Sequence, residues 1–295
     1  DRARDFLQRE MDAGRMRTVA VKQPDGSYIT QDRHGELVEA MRILQLEGLI
    51  VIGGDGTLAI AHRLMEKGVP VVGVPKTIDN DIAHTDTTFG FDTAVEVATA
   101  AVDRLHSTAE SHDRVMVIEV MGRDCGKLAM HAGLAGGADV ILIPEIPYDI
   151  QRVCDKVRRR QAAGRFFSIV VVAEGAHPKD GQKSFLEAKV QGGMPRLGGA
   201  GAQAAAEISK LTGLETRGTV LGHLLRGGRP SAYDRILATR YGAAASDLVA
   251  ENKWGHMVAL QGGGFGSVPI TDVIAGTTGV EPDGEMVNVA RSLGI

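Results

Sequence analysis

Two loops at the ends of apolar runs carry most of the chemistry this sequence could perform. The first is Ile52-Gly-Gly-Asp-Gly-Thr57; the second, a helix's length later, closes the stretch from Val71 to Asp81, VVGVPKTIDND. The first offers backbone N–H groups at Gly53, Gly54 and Gly56 around one carboxylate, Asp55, with Thr57 opening the segment beyond. The second offers a cation, a hydroxyl and two carboxylates within six residues: Lys76, Thr77, Asp79 and Asp81. Phosphate oxygens need N–H donors, a metal ion needs carboxylates and a substrate hydroxyl needs a base, so the pair points to phosphoryl transfer. A tight strand-to-helix turn alone would explain two of the glycines, and a solvated capping turn would explain the acids. Three glycines with an Asp at a helix amino terminus favour a phosphate–metal site, because free N–H groups and the helix dipole both attract anions. In the second loop Asp79 can accept a proton from a substrate hydroxyl while Thr77 orients the incoming phosphoryl group. Asp81 can hold metal-bound water, and Lys76 can neutralise charge building on the transferred group.

Further polar groups stand at the ends of other apolar runs. Met121-Gly122-Arg123 closes a run that Arg114 begins, Glu174 closes FSIVVVAEG, and Arg217, His223 and Arg226 lie along ETRGTVLGHLLRGGRP. A lone Arg is usually a surface charge and a lone His a satisfied core residue. Four Arg and one His at strand ends, beside Gly227-Gly228, suggest a sugar-phosphate pocket: Arg pairs phosphate oxygens and Glu174 accepts from sugar hydroxyls.

Elements that can position these loops are legible along the chain. A hairpin is expected over 18–30, turning at Pro24-Asp25-Gly26, then a helix from His34 to Leu46. Strands follow at 49–53, 69–74, 114–121, 140–144, 167–173, 218–222 and 257–261. Helices at 57–67, 93–105, 126–134, 151–161, 200–211 and 231–251 alternate with them. That alternation implies parallel sheets with right-handed crossovers. The expected fold class is α/β: two Rossmann-like parallel-sheet domains with the active site in the cleft between them. The chain is expected to cross between them near Phe89–Asp92 and Leu225–Ser231. Residues 1–90 plus 225–275 would bind the phosphoryl donor and residues 91–224 plus 276–295 the sugar phosphate. Residues 1–15 are charged and helical in pattern, and no buried strand precedes them, whereas a doubly wound sheet usually opens with a strand, so an amino-terminal unit is expected to be missing. The 295 residues, 43% hydrophobic and 24% charged, describe an ordinary globule, and a net charge of −4 argues against nucleic acid as partner. Two cysteines without metal-ligand spacing, and no apolar run near the roughly 20 residues a bilayer requires, suit a cytoplasmic protein away from membranes.

Taken together, these residues resemble the phosphofructokinase family. GGDGT at 53–57, PKTIDND at 75–81, TFGFDTA at 88–94, SHDRVMVIEVMGRDCG at 111–126, AEGA at 173–176 and ETRGTVLGHLLRGGRPSAYDRILATRYG at 215–242 fit in order and spacing. The resemblance implies a glycolytic 6-phosphofructokinase that phosphorylates the 1-hydroxyl of fructose 6-phosphate. Asp79 would be the general base, and Thr77 and Ile78 would line the acceptor. Lys76, Asp81 and Arg123 would assist, and Asp55 would act through Mg2+. Met121, Gly122, Arg123 and Glu174 would surround the sugar, and Arg217, His223 and Arg226 would bind its 6-phosphate. Arg114 and Arg217 would reach in from a neighbouring subunit, implying a homodimer or homotetramer with shared active sites. His106 and Ala163 stand where allosteric bacterial members carry basic effector-binding residues, so control by ADP or phosphoenolpyruvate is not expected.

The resemblance also bears on the donor. Pyrophosphate-using members pair an Asp at the Gly56 position with a Lys at the Lys76 position, whereas the allosteric ATP enzymes carry Gly at both. Gly56 leaves room for the α-phosphate of ATP; Lys76 only adds a contact. ATP is therefore the expected donor and pyrophosphate the alternative. GGDGT alone would also fit NAD or lipid kinases, which lack TIDND. A non-catalytic sugar-phosphate-binding relative would be expected to lose Asp79, which is present.

Overall fold

The structure, a computed structural model, describes residues 19–22, 28–31, 34–187 and 196–295. The expected hairpin is present as β1 (Val19–Lys22) and β2 (Tyr28–Gln31), paired antiparallel; its turn, and residues 1–15, lie outside the described residues. Runs of Val and Ile ending in glycine then form two sheets. In the first, β3 (Leu49–Gly53) and β12 (His256–Gln261) flank β4 (Val71–Thr77) in parallel, β13 (Gly264–Pro269) extends the β12 edge, and β5 (Phe89–Gly90) pairs the end of β4. In the second, β6 (Val115–Val120), β7 (Val140–Leu142), β8 (Ser168–Ala173) and β11 (Thr216–Val220) run parallel in the order β11-β6-β8-β7.

The central strands β4, β12, β6 and β8 are buried on both faces, which is why they read as continuous apolar runs instead of alternating ones. In the second, Ile118, Ile169 and Val171 face the helices at 91–111 and 127–135, while Val117, Val170 and Val172 face Val153, Val157 and Ile208 of the other two. In the first, Leu58, Ala61 and Leu64 cover one face, and Leu237, Tyr241 and Ala245 of the helix Ala232–Ala250 cover the other. Each Leu or Ile so buried contributes about 1.5–3 kcal/mol of transfer free energy.

Two expectations need correction. The first sheet is not wholly parallel, because β13 returns antiparallel to β12. Gly262 (φ +56) and Gly263 (φ +84) supply the paired left-handed residues of a hairpin turn, and the glycine-rich GGGFG masked the strand that follows. The strand expected at 218–222 lies at 216–220; Gly222, at φ +49, ends it, and Gly222–Arg226 forms a short 3-10 helix.

The two expected crossings meet. Asp234 accepts from the Thr93 N–H at 2.8 Å and from its hydroxyl at 2.5 Å. Ser231, capping its own helix through the Asp234 N–H, donates to Asp92 at 2.6 Å. The starts of two helices, one packed on each sheet, thus cap each other's N–H groups. Among the described residues no helix is long and apolar enough to cross a membrane.

Candidate active site

Parallel strands deliver their loops on one side, so the segments leaving β3, β4, β6, β8 and β11 supply the polar groups at their carboxyl ends. Leaving β3, Gly54 precedes the helix Asp55–Glu66, whose start has no side-chain cap. Its first N–H groups and dipole are therefore available to an anion. A Cβ on Gly53 would lie 2.4 Å from the Thr57 side chain, so only glycine allows so tight an entry. A cavity of about 320 Å³ opens beside Asp55, Gly56 and Ala59, walled across by Ile82, Ile274 and Thr277.

Leaving β4, the Thr77 hydroxyl accepts the Asp79 N–H at 3.1 Å and donates to the Asp79 carboxylate at 3.3 Å. Asp79 and Asp81 are each only 9% exposed, and one oxygen of each is buried with no hydrogen-bond partner. Burial pushes the Asp79 carboxyl up, and the Asp55 charge adds to it; Arg226, the Thr77 hydroxyl and Arg123 oppose. Burial, then the charges of Asp79 and Asp55, push Asp81 up to about 6. Lys76 stands exposed at the end of the strand, and Ile78 is half-buried against the second sheet's core.

The second sheet supplies the facing loops. Met121 and Gly122 are buried, and Gly122 takes φ +139, where a Cβ would meet the Cys125 carbonyl at 2.5 Å. Glu174 accepts the Arg123 N–H at 2.9 Å. Burial pushes the Glu174 carboxyl up, with the Arg123 N–H opposing and the Asp79 charge adding. His223 and Arg226 are exposed on the 3-10 turn, near enough for Arg226 to act on Asp79. The structure thus brings Asp55, Asp79, Asp81, Arg123, Glu174 and Arg226 into one region.

It does not bring Arg114 or Arg217 there. Arg114 immediately precedes β6 and Arg217 is the second residue of β11, about 20 Å and about 10 Å from the carboxyl ends of those strands at about 3.3 Å per residue. They converge instead on Glu215, at 2.9 and 2.7 Å. The side-chain bond from Arg114, joined by that from Arg217, pulls the Glu215 carboxyl down. Of the four Arg expected around the sugar phosphate, the chain's own site thus receives Arg123 and Arg226.

Among the described residues no group of three or more His, Cys, Asp or Glu side chains could enclose a metal ion. The unengaged oxygen of Asp81 and the nearby charge of Asp55 fit a magnesium ion held by one or two carboxylates, with donor phosphates and water completing its shell. Sequence reasoning missed two contacts to the Asp79 loop. The Cys125 thiol donates to the Asp79 carbonyl at 3.3 Å, and the Lys127 ammonium donates to the Asn80 carbonyl at 2.7 Å. Their place in MGRDCGK, directly after Arg123, was the available signal.

Comparison with known proteins agrees with this geometry. The family model described as Phosphofructokinase matches residues 14–249. An ATP-dependent 6-phosphofructokinase of Chloroflexus aggregans is 54% identical over 264 residues, covering 90% of this chain and 72% of that one. A pyrophosphate–fructose 6-phosphate 1-phosphotransferase of Streptomyces coelicolor is 52% identical over 271 residues, covering 91% and 77%. The solved phosphofructokinase of Saccharomyces cerevisiae superposes with a TM-score of 0.71 at 29% identity, covering 92% of this chain and 37% of that one.

The state of Asp81 yields a pH test. Its proton is bound more tightly in the folded chain than in the unfolded one, so stability falls as pH rises from about 4 through 6, by roughly 3 kcal/mol. In metal-free buffer, Asp81→Asn should melt several degrees above the wild type at pH 7.5, and the gain should vanish near pH 4. Equal melting temperatures at pH 7.5 would place this carboxylate in wetter surroundings.

Proposed function

Since the chain belongs to the phosphofructokinase family, we propose that it transfers the terminal phosphoryl group of ATP to the 1-hydroxyl of fructose 6-phosphate, yielding fructose 1,6-bisphosphate. The observation that carries this reading is Asp79: a buried carboxylate with one oxygen unengaged and the other held by Thr77. Its raised pKa makes it a better proton acceptor than a solvated aspartate. Asp79 takes the proton of the sugar hydroxyl, and Thr77 aligns the phosphoryl group. Arg123 and Lys76 meet the charge that builds on the transferred oxygens. Gly53, Gly54, Gly56 and Thr57 cradle the donor at the helix start. Asp55, and Asp81 through water, would hold magnesium, whose charge offsets that of the donor phosphates.

Met121, Gly122, Arg123 and Glu174 enclose the sugar, and His223 and Arg226 bind its 6-phosphate. Donor binding falls to residues 1–90 plus 225–275 and sugar binding to 91–224 plus 276–295. The 6-phosphate site is completed by Arg114 and Arg217 of a second copy, in a homodimer or homotetramer. Support comes from the side-chain exposure of Val220 (56%), Leu224 (70%), Tyr233 (52%) and Ile236 (63%), apolar residues close in sequence to Arg217. The two buried free thiols suit a reducing cytoplasm.

Pyrophosphate is the second reading of the donor. Lys76 favours it, as does the name of the Streptomyces relative, whereas Gly56 leaves room for the α-phosphate of ATP.

Three measurements follow. Asp79→Ser should lower kcat by roughly 10²–10⁴-fold with a smaller change in sugar affinity; near-normal turnover would remove Asp79 as the base.

A coupled assay should show ATP preferred over pyrophosphate, and Gly56→Asp should weaken ATP use strongly because its carboxylate would face the α-phosphate. A wild type that prefers pyrophosphate overturns the steric argument.

Asp79→Ser and Arg217→Ala, each nearly inactive alone, should regain part of the activity when mixed, because a mixed interface can hold one intact site. Losing a charge-assisted contact of about 1.5–3 kcal/mol should raise the sugar requirement of Arg217→Ala tenfold or more. A fully active monomer, or no recovery after proven subunit exchange, would exclude shared sites.

A further inference from the structure

Resting on the reading of Asp79 as the base, we infer that Lys127 is a positioning residue for the Asp79–Asp81 loop, which it holds through the carbonyl of Asn80. Three successive carbonyls of this loop each receive a donor from elsewhere in the chain. Asp79 receives the Cys125 thiol at 3.3 Å, Asn80 the Lys127 ammonium at 2.7 Å and Asp81 the Thr278 N–H at 2.8 Å. Pinning the carbonyls fixes the direction of the carboxylates without engaging them, and one oxygen of each acid stays unpartnered. Asn80 is the pivot. It sits at φ +51, and its side-chain oxygen accepts the Thr88 N–H at 3.0 Å, so side chain and main chain are clamped from opposite sides.

Lys127 is the one charged donor of the three. Its ammonium also reaches the Thr278 hydroxyl at 2.9 Å and so ties the strap at 277–280 to the same loop. That strap is fastened twice more, by the bridge between Ile82 and Thr277 and by the Val280 N–H to Glu145 at 2.8 Å. Glu145 in turn accepts the Gly126 N–H at 2.8 Å, which fixes the platform from which Lys127 extends. Lys127 opens the helix Lys127–Ala135, where a cation faces the positive end of the dipole and helix formation alone disfavours it. The bonds to Asn80 and Thr278 are what offset that cost. Because Lys127 follows Met121–Arg123 on the same loop, it links the sugar-facing segment to the base.

The test compares Lys127→Met with the wild type at saturating ATP and magnesium. A misdirected Asp79 should lower kcat about 10–100-fold while the KM for fructose 6-phosphate stays within about threefold. In an Asp79→Ser background, Lys127→Met should cost nothing further in kcat, because no base remains to position. A merely structural staple would lower thermal stability and leave the kcat of the folded fraction intact. Should Lys127→Met fail to fold, Thr278→Val removes the lysine's second acceptor, keeps the Thr278 N–H, and should lower kcat about 3–10-fold by the same route. A kcat within twofold of the wild type in a folded Lys127→Met or, where that variant does not fold, in Thr278→Val overturns the inference, as does a full further loss in the Asp79→Ser background. An inactive wild type would instead overturn the kinase reading itself.

Discussion

Three carboxylates, Asp55, Asp79 and Asp81, are held within electrostatic reach of one another, two of them nearly dry, and the rest of the molecule is arranged around that cost. Burial and repulsion from neighbouring carboxylates both favour protonation of Asp79 and Asp81. A base must nevertheless be ionised to work, so the protein sets cations against the repulsion. Arg226 and Arg123 lower Asp79, and Lys127 lowers Asp81. Lys127 spends its bonds on a carbonyl and a hydroxyl instead of a carboxylate. A direct ion pair would consume the oxygens that substrate and metal need. Binding the cation to the backbone keeps the field and leaves the oxygens unengaged.

Where the two halves of the chain join, the same economy of polar groups recurs. The helices that begin at Phe91 and Ala232 pack on different sheets, yet their first turns share Asp92, Thr93, Ser231 and Asp234. Both crossings therefore pass through one hydrogen-bonded node, in which an N–H of each helix's first turn, that of Thr93 and that of Asp234, finds a side-chain acceptor. Ser231 closes the loop that carries His223 and Arg226, so the node also anchors that turn. One oxygen of Asp234 remains buried and unpartnered, as expected of a junction that satisfies two helices with one carboxylate.

How much of this was legible in the sequence depended on whether a signal was local. The buried strands were, because apolar runs closed by glycine have few other readings; β3 begins and ends where expected, and β8 differs by one residue. The loops that end in Asp55, Asp79 and Glu174 were legible for the same reason. β13 was hidden by glycines that set a turn instead of a side-chain pattern. The partners of the Asp79 loop were hidden because they are long-range. Nothing local in a lysine after Cys-Gly shows that its ammonium meets a carbonyl 47 residues earlier. Arg217 misled for the opposite reason: closeness to His223 along the chain suggested one pocket, but a strand separates residues that the sequence places side by side.

The charges divide between the halves in a way that bears on how such a cleft works. Asp55, Asp79 and Asp81 leave strands of the first sheet, while Arg123, Lys127 and Arg226 leave elements packed on the second. Lys76, at the end of β4, is a cation on the acidic side. Glu174 departs from the pattern, being an acid on the basic side. Its bond to the Arg123 N–H places it where the arginine's own peptide compensates its burial. The Arg123 side chain meanwhile still acts on Asp79.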